Sequence, residues 1–255
     1  MDLTLSQLKI DLEQLADAKQ ATVLQRFFKT GKGQYGQGDI FLGINVPTQR
    51  QLAKKYLGLP AADVAKLLQS KIHEHRLTAL LIWTLRFQKA DPREQKAIYK
   101  LYLKHRNFIN NWDLVDLSAP NIVGSFLLNN DRAILYKLAQ SKNLWDKRIA
   151  ILATFEFIRH GQADDTFKIA EILLNDNHDL IHKAVGWMLR EVGKRIGQST
   201  EEAFLNKPYW KAGTGTTRPA AATLPVPVFR LMPRTMLRYS IERFSPALKK
   251  KYMVK

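Results

Sequence analysis

Trp112 and Asp116 stand four residues apart in Asn110-Asn111-Trp112-Asp113-Leu114-Val115-Asp116. In a helix, positions i and i+4 share a face, so an aromatic plate and a carboxylate point the same way. Such a carboxylate stabilises positive charge developing beside it and accepts a hydrogen bond from water, while a Trp face holds a flat or cationic group. The setting makes the pair informative. The chain carries 40 Lys+Arg against 23 Asp+Glu, a formal net charge of +17. That is the footprint of a partner bearing phosphates, or of an anionic membrane surface. A carboxylate kept beside a Trp in so basic a chain points to chemistry on a nucleic acid rather than adhesion alone.

The elements that would position this pair are helical. Apolar spacing predicts helices over 5–29, 47–56, 61–68, 75–88, 93–103, 111–117, 122–128, 133–139, 147–160, 165–174, 178–195, 233–244 and 246–252. No stretch alternates with period two for long, so the fold class is all-α. A hydrophobic share of 45% over 255 residues is enough for one large domain or an array of repeats.

A repeat is visible. His75-Arg76-Leu77-Thr78-Ala79, Lys147-Arg148-Ile149-Ala150-Ile151 and His182-Lys183-Ala184-Val185-Gly186 each set basic residues before an apolar helix. Arg76 and Arg148 are 72 residues apart, and Arg148 and Lys183 are 35 apart. Two helices per period of that length indicate a solenoid of antiparallel helix pairs of HEAT-like type. Equivalent helix starts would then line one curved, basic face. Residues 1–255 are read as a single domain with one insertion, at 207–233. That segment holds five prolines and the run Gly213-Thr214-Gly215-Thr216-Thr217. From Asn206 onward there are 11 basic residues and one acid, Glu242.

Other chemistries are excluded or left open. Without cysteine there are no disulfides, iron–sulfur clusters or thiolate zinc sites. His178 and His182 have the spacing of zinc ligands but lack the glutamate of a metalloprotease helix, so no metal is expected. No apolar run reaches the length of a membrane span, and the start lacks a secretory layout. A cytoplasmic protein with no membrane partner is expected. Gly31–Gly38 lacks the Walker ending; with Lys29 and Lys32 beside it, it is either a contact to a DNA backbone or a plain connector. Arg234 and Arg238, i and i+4 on one helix, are phosphate contacts or a solvated face. Each leading residue has a bland counterpart. A Trp in a helical repeat is more often core than contact, and Asp116 is equally a partner for a break at Ser118-Ala119-Pro120. Arg148 near a helix start opposes the macrodipole, which favours function over structure.

Five blocks, in order, carry a resemblance. They are Phe27-Phe28-Lys29-Thr30-Gly31-Lys32-Gly33 with Gly38-Asp39-Ile40-Phe41-Leu42-Gly43-Ile44; Asn111 to Pro120; Trp145-Asp146-Lys147-Arg148-Ile149-Ala150; Gly186-Trp187-Met188-Leu189-Arg190-Glu191-Val192-Gly193; and Met232 to Tyr239. From about Arg26 to near the C-terminus the chain resembles the AlkD family of bacterial DNA alkylation-repair glycosylases. The resemblance implies a HEAT-like solenoid holding duplex DNA on a concave basic face. It further implies hydrolysis of the bond between deoxyribose and a cationic alkylated purine, 3-alkyladenine or 7-alkylguanine, without extrusion of the base into a pocket. The family's active positions fall on Trp112, Asp116, Arg148 and Trp187. Two departures stand out. Phe27 and Phe28 occupy the region where some members carry an aromatic hydroxyl, and the 207–233 segment exceeds the family's usual connection.

A purine that is already cationic leaves readily, so the reaction needs a carboxylate near the sugar and a placed water more than an acid. Asp116 would supply these, Trp112 and Trp187 would hold sugar and lesion, and Arg148 would clamp a phosphate bidentately. Lys29, Lys32, Arg76, Lys147, Lys183, Arg190, Arg234 and Arg238 are the remaining expected DNA contacts. No cofactor is expected, and a monomer is. The competing reading is a non-catalytic HEAT-like protein that binds distorted or branched DNA; a protein-binding solenoid suits the charge less well.

Overall fold

The computed structural model describes residues 3–209 and 225–253. By its contacts the chain divides into two compact units, Met1–Arg132 and Ala133–Lys255. Each is a run of helices packed largely on their neighbours in sequence, the contact pattern of repeat folds.

In the first unit, α1 (Leu5–Glu13) and α2 (Ala18–Phe27) stand where a single helix is expected over 5–29. Asp17 divides them. Its side chain accepts from the N–H groups of Lys19 and Gln20, while its own N–H donates to the Leu42 carbonyl. These bonds satisfy first-turn donors of a new helix. α2 ends in a Schellman turn: Lys29 N–H donates to Arg26 O and Thr30 N–H to Gln25 O, with Lys29 at φ 51°. The chain then reaches Phe41-Leu42-Gly43-Ile44, where the Leu42, Gly43 and Ile44 N–H groups all donate to the buried Glu74 carboxylate. Gly43, at φ 90°, lies so close to the Asp17 carbonyl that a Cβ would overlap it.

Next come α3 (Val46–Lys55), α4 (Ala61–Leu68), α5 (His73–Phe87) and α6 (Pro92–Lys104). α5 forms the centre of the unit and is buried at every residue from His73 to Thr84. It packs on α3 and α4. Its Leu77, Leu80, Ile82 and Trp83 are enclosed, each worth roughly 1.5–3 kcal/mol of apolar burial.

α7 (Trp112–Ala119), which also packs on α5, does not stop at Pro120. It runs through a π-helical turn, Pro120–Gly124, into α8 (Ser125–Leu127). Proline offers no N–H and its ring crowds the preceding turn; a wider turn makes room without ending the helix. Two helices separated by a break were expected here.

The second unit contains α9 (Ala133–Ala139), α10 (Leu144–Arg159), α11 (Asp164–Ile172), α12 (Asp179–Arg195) and α13 (Gln198–Asn206). α13 was not expected: it is short, polar at its start, and follows Gly197. Pro208–Tyr209 and Val226–Pro227 form a two-residue antiparallel pair, followed by α14 (Val228–Leu231), α15 (Arg234–Ser240) and α16 (Pro246–Met253). The expected insertion at 207–233 thus has described flanks, while 210–224 lie outside the described residues. Gly186 on α12 lets α15 approach closely, since a Cβ there would overlap Met236 O and Tyr239 Cβ.

A shared turn supports the repeat. Ser70 Oγ accepts from the Ile72 N–H, Ser141 Oγ from the Asn143 N–H, and Asp176 Oδ1 from the His178 N–H. The same side chain-to-backbone turn therefore opens α5, α10 and α12.

Candidate active site

Trp112 and Asp116 share one face of α7: both are part-exposed, while Asp113, Leu114 and Val115 between them are buried. The Trp112 ring is fixed by its neighbours. It stacks on Phe28 with centroids 5.2 Å apart and planes 18° apart, and meets Phe27 edge-on at 5.8 Å. Phe28 stacks on Phe41 at 5.0 Å, and Phe41 on the His73 ring at 4.5 Å. Phe27 is 60% exposed, so an aromatic surface without a hydroxyl stands beside Trp112.

Beneath the stack lies a buried polar network that the sequence reading passed over. His73 Nε2 is 2.8 Å from Asp113 Oδ2, and its Nδ1 is 3.3 Å from Asp39 Oδ2. Asn111 Nδ2 donates to Asp39 Oδ2 at 3.2 Å, and Arg76 pairs with Asp39 Oδ1 at 2.8 Å. Burial by itself would strip His73 of its proton; the charge of Asp113 and the hydrogen bonds to both carboxylates outweigh it and raise the pKa from 6.5 to about 9. Burial also pushes Asp39 up, but the His73 hydrogen bond and the charges of Arg76 and His73 hold its carboxyl below the usual value. The available signal was that Asp39, Asn111 and Asp113 fall within the resemblance blocks; His73 lies outside them, and nothing in the spacing of these distant residues says that they meet.

Arg76 needs correction. It is only 3% exposed, and besides Asp39 it donates to the Ser70 carbonyl at 3.0 Å. It is a buried member of this network and not a surface contact for DNA.

The second unit carries the other two expected active residues. Arg148 on α10 is 5% exposed and donates from a terminal guanidinium nitrogen to the Leu180 carbonyl at 2.6 Å. That bond anchors the head group at one of its terminal nitrogens. Trp187 on α12 is part-exposed, lies 6.1 Å from the Phe155 ring, and donates from Nε1 to Glu191 Oε1 at 3.3 Å.

The expected basic contacts fall in several places. Lys183, Arg190 and Arg238 come together in a groove of about 570 Å³ beside α12 and α15, with Thr235 and Tyr239 in its walls. Two acids share it: Glu242 pairs with Arg190, and Asp179 with Lys183 at 2.6 Å. Lys147 pairs with Asp176 at 2.6 Å and lines a second hollow of about 390 Å³ with Lys142 and His178. Lys29, Lys32 and Arg234 are exposed. Among the described residues, no group of three or more His, Asp or Glu side chains could hold a metal, and no helix is long and apolar enough to cross a membrane.

Helix pairs in series define an all-α helical-repeat protein, with an aromatic–carboxylate pair on one helix and a basic groove beside others. The family model described as DNA alkylation repair enzyme matches residues 8–244, and the chain belongs to that family. In fold it is similar to a solved structure described as a predicted DNA alkylation repair enzyme from Enterococcus faecalis. That similarity has a TM-score of 0.64 at 17% identity and covers 91% of this chain and 97% of the other. It supports the repeat-solenoid fold class. No curated protein matches the chain.

Proposed function

We propose that the protein is a monofunctional DNA glycosylase that hydrolyses the N-glycosidic bond of cationic alkylated purines, such as 3-alkyladenine and 7-alkylguanine, in duplex DNA. The observation that carries this reading is the Trp112–Asp116 face: a carboxylate and a ring locked in an aromatic stack, both part-exposed on one helix. An alkylated purine bearing positive charge departs without protonation. The remaining barrier is charge growing on the sugar and delivery of water. Asp116 meets both needs, stabilising the oxocarbenium-like state and accepting a hydrogen bond from the attacking water. Trp112 supplies a ring face against the cationic sugar or lesion, worth about 0.5–2 kcal/mol. By resemblance, Trp187 does the same and Arg148 acts on a backbone phosphate. The groove carrying Lys183, Arg190 and Arg238 suits successive phosphates, to which the side chains of a basic protein make charge-assisted bonds.

The reading has a selective test. A site without a general acid expels a neutral base poorly, so purified protein should release 7-methylguanine from a duplex and leave hypoxanthine in the same sequence context untouched. Equal release of both bases would mean an acid is at work and would contradict the assigned mechanism. Tight, salt-sensitive binding without any release would make the protein a non-catalytic DNA-binding member of the family.

A further inference from the structure

The chemistry proposed above makes no use of the polar network beneath α7, yet that network grips the helix start from both sides of Trp112. Resting on the reading of Trp112 and Asp116 as the reactive pair, we propose that His73, as a buried imidazolium, is the positioning residue for the N-terminus of α7 and for the Trp112 ring.

The geometry carries the argument. Each ring nitrogen of His73 faces a carboxylate oxygen, Asp113 Oδ2 on one side and Asp39 Oδ2 on the other. An ionised carboxylate only accepts, so both nitrogens must donate, and only the imidazolium has two N–H groups. The neutral ring would leave one carboxylate facing a lone pair in a site where His73 is 2% exposed. The charged groups that face it are Asp39, Asp113 and Arg76.

From these carboxylates the restraint passes to the helix. Asp113 Oδ1 accepts from the Leu114 N–H at 2.8 Å. Asn111, held by Asp39, accepts from the Trp112 N–H at 2.8 Å. Of the residues on either side of Trp112, Asn111 is thus tied to one of the anions that flank His73, and Asp113 is the other. The indole is held a second way, through the stack of Phe28 and Phe41 that ends on the His73 ring. Backbone and ring restraints converge on one imidazole. Such convergence matters because a reactive group displaced by about 1 Å loses rate on the order of 100-fold.

The test uses the full chain and two variants, His73→Gln and Asp113→Asn. Three quantities are measured: amide hydrogen exchange over 112–116, single-turnover release of 7-methylguanine, and affinity for the same duplex. Positioning predicts that exchange over 112–116 accelerates at least about tenfold while α10 and α12 keep their protection. Base release should fall on the order of 100-fold, with DNA affinity within about threefold of wild type. A purely core role predicts otherwise, with exchange rising evenly through the first unit and folded molecules reacting at the wild-type rate; that result overturns the proposal. Should His73→Gln not fold, Asp113→Asn decides by the same measurements, since it keeps an acceptor for Leu114 while removing the charge opposite His73. Should the wild-type protein release no base, the glycosylase reading fails, and the exchange pattern alone decides whether His73 positions Trp112.

Discussion

Charged side chains in this molecule behave according to what surrounds them, and two arginines near helix starts show it. Arg76 lies four residues past the Ile72 cap of α5 and Arg148 five past the Asn143 cap of α10; both are buried, tied to Asp39 and Ser70 in one case and to the Leu180 carbonyl in the other. Their burial could not be read from the sequence, because each partner lies in another element. Trp112 and Asp116 were legible for the opposite reason: helical spacing alone puts them on one face. A simpler residue-scale test of the fold concerns Lys29. It closes the Schellman turn of α2 at φ 51°, a conformation that costs a non-glycine residue roughly 1–2 kcal/mol. Lys29→Gly should therefore raise stability by up to about 1 kcal/mol once the entropy of glycine is charged against the gain, measured by urea unfolding. A loss of stability would mean that the lysine side chain contributes more than its strained backbone costs.

The elements were legible where apolar spacing is long and regular, as in α5, α10 and α12, and illegible where one hydrogen bond or one atom decides. The split between α1 and α2 depends on Asp17 meeting Leu42, and continuity through Pro120 depends on a turn wide enough for its ring. The junction of α12 with α15 is set at a similar scale. Gly186→Ala should overlap Met236 O and Tyr239 Cβ and destabilise the protein by about 1–3 kcal/mol, visible as a lower urea midpoint with an unchanged slope. An unaltered midpoint would mean that the helices separate at no cost. The groove beside the same two helices can be tested through Arg238, which is exposed and lines it. Arg238→Ala should weaken DNA binding similarly for all sequences and reduce the slope of log affinity against log salt by about 1. An unchanged slope would place Arg238 away from the phosphates.

The whole molecule carries a formal net charge of +17, and two of its buried groups, His73 and Glu201, hold their protons into the neutral range. His73 is raised from 6.5 to about 9 by its carboxylates despite burial, and Glu201 from 4.5 to about 8 by burial and by the neighbouring Glu202. For His73 the stability is fully present below pH 6.5 and is lost as pH rises through 9. Glu201 acts in the same direction, because the unfolded carboxyl ionises from about 4.5 while the folded one resists until about 8. Urea unfolding should therefore show stability falling steadily from pH 6.5 to 9. Glu201→Gln should flatten the part of that fall below about 8; a profile that rises over this range would contradict both assignments. The central claim, that this family member breaks a glycosidic bond with Asp116, is tested most directly on a duplex carrying one 7-methylguanine. Free base is followed in single turnover for wild type and Asp116→Asn. The account predicts release by wild type and a loss of about 10²–10³-fold in the variant, with DNA affinity unchanged or slightly higher because a negative charge facing phosphates is gone. Release by Asp116→Asn at the wild-type rate would contradict it.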